Sequence, residues 1–392
     1  MIIWIRLFII PKIDAAKVQL IFETRNILRT FFYFFYYLTA LISVKRHVPL
    51  RTFSVYLRAV RLCICEKSST FAAKFEFNTM YTASPNRYAS MTIYNRCGNS
   101  GVLLPKVSLG FWHNFGADAP FERSRAITRF AFDNGITHFD FANNYGVPAG
   151  SAEQTMGRLM DEDFRPYRDE LFISSKAGYL MWDGPYGEWG SRKYLISSLD
   201  QSLQRMHLDY VDLFYSHRFD PNTPIEETLQ TLVDIVKMGK ALYVGISNWP
   251  LEPLKAATKY LKERDVPLLI YQGRLNMLNR EPIEEGILDF CREEGIGFIA
   301  YSPLAQGLLT DRYLDGIPAD SRMAQEHFLT SDKRTPELLA YLHELEQRGQ
   351  ANGRTIAQEA LNWILEQKGV TSVLVGASSV EQLKNNINTI LS

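Results

Sequence analysis

The chain has 392 residues, with 43 Lys+Arg against 43 Asp+Glu and a formal net charge of zero. That length holds one large domain or two, and balanced charge argues against nucleic acid as the main partner. Four cysteines (Cys63, Cys65, Cys97, Cys291), with no paired spacing beyond C-I-C, give neither a disulfide framework nor a zinc site and point to a reducing compartment; no metal is expected.

The balance hides an asymmetry. Residues 1–79 carry 12 Lys+Arg, 4 Asp+Glu and no glycine, which leaves 31 basic and 39 acidic residues for the remainder. The run TFFYFFYYLTALISV (30–44) is 15 residues without a charge. It is shorter than the roughly 17–25 residues a membrane span needs, and no A-x-A-like cleavage site follows it closely, as a signal peptide would require.

From residue 80 onward one rhythm repeats. TIYNRCGNSGVLLP (92–105) reads as a short hairpin turning at 98–101. Eight β-runs follow: 106–112, 137–142, 170–177, 210–217, 241–249, 268–273, 297–304 and 370–378. Helical patterns lie between them. FERSRAITRFAFDNG (121–135) and IEETLQTLVDIVKMG (225–239) each end in Gly, a common helix C-cap. Strands alternating with helices indicate βα units and a parallel sheet. Eight such units predict an α/β fold of the (β/α)8 barrel type with a short N-terminal hairpin. No G-x-G-x-x-G follows the first strand, which argues against a Rossmann dinucleotide site. Two long inserts, 178–193 and 308–334, lie after the third and seventh runs; loops of this length are uncommon unless functional or disordered.

Ionisable residues recur where the β-runs end: Asp140 and, in the following turn, Tyr145; then Lys176; then His217. Singly, each has an ordinary explanation: a turn-capping Asp, a half-buried Tyr, a solvated Lys, a satisfied core His. Together they sit at the barrel rim where active sites are built from several strands. A nearby ammonium favours a phenolate and a carboxylate can hold that ammonium, so a tuned phenol could protonate a developing alkoxide. Asp140, Tyr145, Lys176 and His217 read as a carbonyl-reducing set.

A nicotinamide cofactor on this rim needs a polar clamp, an aromatic face and phosphate donors. Ser247, Asn248 and Gln272, at the ends of the fifth and sixth runs, carry groups that clamp a carboxamide; alone they are ordinary turn formers. Tyr301 could stack on the ring, or be a core aromatic. In YSPLAQG, Ser302, Leu304, Gln306 and Gly307 offer backbone N–H groups to a pyrophosphate. GASSVEQLKNN (376–386) opens a helix whose N-terminus favours anions, or which Ser378 or Ser379 simply caps.

The order D-x-A-x-x-Y-G, S-K-A, Y-S-H resembles the aldo-keto reductase family. FDFANNYGVPAGSAEQTMGRL, SSKAGYLMWDGPYGEWGSRKYL and FYSHRFDPNTPIEETL are similar, more narrowly, to its bacterial L-glyceraldehyde 3-phosphate reductase group, which is related to potassium-channel β-subunits. The resemblance runs from about Met80 to the C-terminus. It implies an NADPH-dependent barrel with Asp140, Tyr145, Lys176 and His217 as catalytic residues, Tyr145 being the proton donor. It implies cofactor contacts at Asp140, Ser247, Asn248, Gln272, Tyr301, Ser302, Leu304 and Gln306. Gly376, Ser378, Gln382 and Asn386 carry over to the adenosine phosphate; Asn385 stands where relatives often have Glu. Arg312 and Arg322 match basic positions used on the phosphates, and Arg suits a 2′-phosphate through its planar fork. Phe111 and Trp112 match contacts near cofactor and substrate. Trp182 and Trp249 could wall the pocket, and Arg192 and Lys193 could attract a phosphorylated aldehyde.

The implied substrate is a small aldehyde of the glyceraldehyde 3-phosphate or methylglyoxal type, reduced in the cytoplasm by a monomer or homo-oligomer. The alternative is an NADPH-binding, β-subunit-like regulatory partner of a membrane channel, with the basic aromatic N-terminus near the membrane. Relatives continue for another helix and tail that borders the substrate; if the sequence is complete at Ser392 a more open pocket is expected, and if it is a fragment or frameshifted, lower stability. Met80 begins a stretch resembling the group's ordinary start, so residues 1–79 are expected to come from a misassigned start codon rather than from an anchor. Mass spectrometry of the native N-terminus is expected to find no peptide from 1–79; such peptides would overturn that expectation.

Overall fold

In the computed structural model, residues 81–319, 321–326, 329–388 and 390 are described. The 1–79 extension lies outside them. The β-hairpin comes first: β1 (Tyr94–Arg96) pairs antiparallel with β2 (Leu103–Pro105), Tyr94 opposite Pro105. Gly98 makes the turn at φ 53°, and a Cβ there would lie 1.9 Å from the Gly295 carbonyl oxygen, so only glycine fits. The hairpin buries Cys97, Val102 and Leu104 against Leu213, Leu269, Ile270, Ile299 and Leu374. Those residues line the end where the barrel strands begin, and the hairpin plugs it.

Eight parallel strands then close on themselves: β3 (Val107–Gly110), β4 (His138–Asp140), β5 (Phe172–Ala177), β6 (Val211–Ser216), β7 (Ala241–Ser247), β8 (Ile270–Arg274), β9 (Gly297–Tyr301) and β10 (Val370–Val375). β10 pairs with both β3 and β9. All eight correspond to runs read from the sequence; seven lie within them, and β8 runs one residue past its run, to Arg274. β7 stops at Ser247 because Asn248 takes φ 55°, and β9 stops at Tyr301 because Ser302 takes φ 52°. These left-handed residues turn the chain across the rim.

Side chains alternate along each strand. Leu109, Phe139, Ile173, Phe214, Val244, Phe298 and Val373 face outward into the main core. Their neighbours Ser108, His138, Ser174 and Ser372 face the axis and are completely buried. The outer layer is helical: α1 (Phe121–Asp133), α2 (Ser151–Leu159), α3 (Arg192–Met206), α4 (Ile225–Lys237), α5 (Leu251–Lys262), α6 (Glu281–Glu284), α7 (Ile287–Glu294), α8 (Pro336–Ala351), α9 (Ile356–Leu365) and α10 (Val380–Ile387). The expected glycine stops hold: Gly135 follows α1 at φ 79° and Gly239 follows α4 at φ 71°.

The 308–334 insert has its own small core. Leu308, Leu309, Tyr313, Met323 and Leu329 pack with Leu342, Leu345, Ile356 and Ala360 of α8 and α9. No helix among the described residues is long and apolar enough to cross a membrane. Among the same residues no cluster could hold a metal ion, and Cys97 and Cys291 are buried free thiols, each pushed up to about 12 by burial.

Inside the barrel, Gly245 leaves room for Tyr215: a Cβ there would sit 2.5 Å from the Tyr215 ring. Gly245→Ala is therefore expected to cost about 1–3 kcal/mol through overpacking, measured by equilibrium urea unfolding.

Candidate active site

Asp140 is the last residue of β4 and Lys176 the penultimate residue of β5, while His217 lies one residue past β6. Parallel pairing sets Asp140 beside Ser174 and Lys176 beside Tyr215. Tyr145 arrives from the loop after β4. That loop is held by Asn143 N–H on the Lys176 carbonyl (2.9 Å) and by the Gly150 and Ala152 N–H groups on the Tyr145 carbonyl (3.1 and 3.2 Å). Gly146 takes φ 86° there, where a Cβ would meet Ser151 Oγ at 2.4 Å.

The four residues converge. Lys176 Nζ donates to Asp140 Oδ2 at 2.5 Å and to the Phe141 carbonyl at 2.7 Å, and lies 3.5 Å from the Tyr145 hydroxyl. The Tyr145 ring meets His217 edge-on, centroids 5.9 Å apart. Tyr179 packs on His217 at 4.7 Å, and Trp112 stands 6.5 Å from Tyr145, more than a third exposed at the mouth.

Burial governs protonation. It raises Tyr145 well above the ordinary tyrosine range, with the Asp140 charge adding to the rise, so the phenol is protonated at neutral pH. In the resting site burial outweighs the ammonium, whose shorter contacts are to Asp140 and Phe141 and which reaches Tyr145 at 3.5 Å. Burial also lowers Lys176, opposed by Asp140. His217 falls well below the ordinary imidazole value through burial and the Lys176 and Arg218 charges; it is neutral, and its buried Nδ1 has no hydrogen-bond partner among the described residues.

The other rim residues separate into groups. Ser247, Asn248 and Tyr301 form a connected set: Asn248 Nδ2 donates to Ser247 Oγ (3.1 Å) and the His217 carbonyl (3.2 Å), and the Tyr301 hydroxyl donates to Asn248 Oδ1 (2.8 Å). Gln272 Nε2 donates to Asp140 Oδ1 at 3.2 Å, so one of its groups serves the carboxylate. Ser302, Ala305, Gln306 and Gly307 all have positive φ, winding the segment around Leu304 tightly, and the buried Gln306 Oε1 has no partner among the described residues. Burial lowers Arg322, and Arg312 lowers it further, so two guanidiniums share one neighbourhood.

At the start of α10, Gly376 and Ser378 are exposed. Gln382 Oε1 accepts from Ser378 N–H and Oγ (2.8 and 3.0 Å), while Ser379 caps the helix. The Asn385 side chain faces solvent and its carbonyl accepts from Gln358; Asn386 is buried, with Nδ2 unpartnered among the described residues. The Phe111 side chain is wholly buried, 4.1 Å from the Phe141 ring and 4.2 Å from Phe115, and packs the core behind Trp112. Trp249 is likewise buried, against Phe219. Arg192 pairs with Asp234.

Residues 106–391 match the aldo/keto reductase family model. The chain belongs to the aldo/keto reductase family. It is 54% identical over 315 residues to L-glyceraldehyde 3-phosphate reductase of Escherichia coli K12, covering 79% of this chain and 91% of that protein. It is 33% identical to a probable voltage-gated potassium channel subunit beta of Arabidopsis thaliana, over 76% of this chain and 90% of the relative. A crystal structure of a thermostable aldo-keto reductase in complex with the inhibitor epalrestat superposes with a TM-score of 0.59 at 28% identity, covering 75% of this chain and 93% of that one.

Sequence reading missed several residues of this aldo/keto reductase site. His138 and Ser174 lie two places before Asp140 and Lys176, the strand period that puts them on the same face; that spacing was the available signal. Arg218 stacks on Tyr179 and Trp189, donates to the Gly178 carbonyl (2.8 Å) and pairs with Glu188 (2.7 Å), pinning the 178–190 loop.

Burial also lowers His138, from 6.5 to about 4. Below pH 6.5 the unfolded chain takes up this proton first, so stability is full above that pH and declines as pH falls toward 4. The loss is on the order of 3 kcal/mol. Urea unfolding at pH 7 and pH 4.5 is expected to show the decline, and His138→Gln to flatten part of it.

Proposed function

We propose that this chain reduces small aldehydes to alcohols with NADPH, acting on the glyceraldehyde 3-phosphate or methylglyoxal type. The observation that carries the reading is the buried Lys176–Asp140 pair beside a protonated Tyr145 and a neutral His217. The 54% identity to the E. coli L-glyceraldehyde 3-phosphate reductase supports the substrate class.

The residues present suit a nicotinamide dinucleotide. Arg312 and Arg322 lie near enough for one charge to act on the other, and two guanidiniums suit a phosphate. The buried amides of Gln306 and Asn386 have unpartnered atoms among the described residues, and such groups are costly unless something satisfies them. Ser247, Asn248, Gln272 and Tyr301 would hold the nicotinamide end. Ser302, Leu304 and Gln306 would hold the pyrophosphate; Arg312, Arg322, Gly376, Ser378, Gln382, Asn385 and Asn386 the adenosine phosphate end. The bound cofactor supplies the hydride.

The chain's own groups handle the oxygen. Tyr145 keeps its proton because burial disfavours the phenolate, so it enters the reaction as an acid. As negative charge grows on the carbonyl oxygen, the hydroxyl proton moves to it. The Lys176 ammonium then faces a phenolate and stabilises it, and Asp140 keeps that ammonium in place. Neutral His217 orients the carbonyl without competing as an acid. The channel-subunit reading rests on the lower identity of 33%; co-purification of a channel without aldehyde turnover would favour it.

Tyr145→Phe is expected to bind NADPH as tightly as wild type by fluorescence titration, and to lose roughly 10²–10⁴-fold in turnover. Unchanged turnover would remove Tyr145 from this role.

A further inference from the structure

Asp140 does not stand alone at the end of β4. Its Oδ1 accepts from Ser174 Oγ at 2.7 Å as well as from Gln272. Ser174 Oγ lies 3.0 Å from His138 Nε2, and His138 Nδ1 lies 2.8 Å from Ser108 Oγ. Ser108 Oγ is 2.7 Å from Ser372 Oγ, which donates at 2.7 Å to the Pro105 carbonyl. The row crosses the barrel from the hairpin end to the catalytic rim. His138 and the three serines are fully buried.

We propose that His138 is a positioning residue for the reaction: held as its Nε2–H tautomer, it forces the Ser174 hydroxyl to donate to Asp140, and so fixes the carboxylate that anchors Lys176.

The argument is a count of protons. An ionised carboxylate only accepts, and a serine hydroxyl has one proton to give. Lys176 donates to Oδ2 and Gln272, at 3.2 Å, to Oδ1; the 2.7 Å contact between Oδ1 and Ser174 Oγ then holds only with the Ser174 proton in it. The Ser174 oxygen must then accept, and the donor facing it is His138 Nε2–H. A neutral imidazole has one N–H, so Nδ1 is an acceptor and Ser108 donates to it. Ser108 in turn accepts from Ser372, whose single proton is divided between Ser108 and the Pro105 carbonyl. The missing proton is thereby pushed to the far end, away from the rim.

The other tautomer reverses the bonds from Ser174 to Ser372 and leaves the Ser372 proton to the Pro105 carbonyl, so its cost falls at the rim. Nε2 would take the Ser174 proton and leave the Ser174 oxygen facing Asp140 Oδ1 at 2.7 Å, lone pairs against lone pairs. Asp140 could then stay only by taking a proton itself, which would remove the charge that holds Lys176. A second proton on His138 would satisfy the whole row; burial opposes it, outweighing the Asp140 charge that favours it, and the Lys176 charge adds to the opposition.

Three measurements test this. Long-range ¹H–¹⁵N spectra of histidine-labelled protein at pH 7 are expected to show His138 as the Nε2–H tautomer; the Nδ1–H form overturns the assignment whether or not the chain turns over aldehydes. His138→Leu and Ser174→Ala are expected to lower kcat roughly 10- to 100-fold, as lost orienting partners do, with aldehyde KM and NADPH affinity within about twofold. His138→Gln, whose amide Nε2 can still donate toward Ser174, is expected to recover most of kcat. A merely structural role predicts no such split between Gln and Leu, so equal activities in the two overturn the proposal. Should His138→Leu fail to fold, the smaller Ser174→Ala decides: unchanged kcat overturns it. The kinetic part rests on the reductase reading; a wild-type chain without turnover defeats that reading, whereas wild-type turnover retained in Ser174→Ala defeats only this one.

Discussion

The structure depends on an ion pair that water does not reach. Lys176 and Asp140 are essentially completely buried and 2.5 Å apart. Each charge alone would be costly there, and removing one partner of such a pair typically costs about 3–5 kcal/mol because the other is left stranded. The barrel meets that cost by crowding the pair with donors and acceptors. Phe141 gives a carbonyl to the ammonium; Ser174 and Gln272 give protons to the carboxylate. The rest of the rim follows from this. A paired, immobile ammonium lies next to a phenol that burial keeps protonated. The imidazole across from it stays neutral because two cations and a dry wall surround it.

A parallel barrel suits this arrangement because it delivers neighbouring strands in register. Asp140 and Ser174 are paired positions on β4 and β5, and Ser247 and Gln272 are paired on β7 and β8. The same period that puts Phe139 and Ile173 among the helices puts His138 and Ser174 on the axis. A polar interior of this kind is costly wherever partners are missing, and the hairpin contributes an acceptor: the Pro105 carbonyl of β2 lies at the end of the row.

The sequence made the barrel legible because its strands carry apolar runs and its helices end in glycine. The four rim residues were legible because charge at the end of an apolar strand is conspicuous. The inner row was not. His138 and Ser174 look like ordinary members of a strand until pairing brings four strands to one axis, and serine carries no signal of burial. Nor was the direction of the Phe111 side chain legible: it follows the first strand, yet it turns back among Phe115, Phe139 and Phe141. The direction of the Tyr145 shift was also illegible. It depends on whether desolvation or the neighbouring ammonium dominates, and only the 3.5 Å separation of the half-buried phenol from Lys176 decides that.

The hairpin has one more effect. By covering the end where the strands begin, it keeps solvent from Ser108 and Ser372, so the inner row has to settle its protons among its own members. The arrangement beside Lys176 is thereby tied to a turn at the opposite end of the barrel.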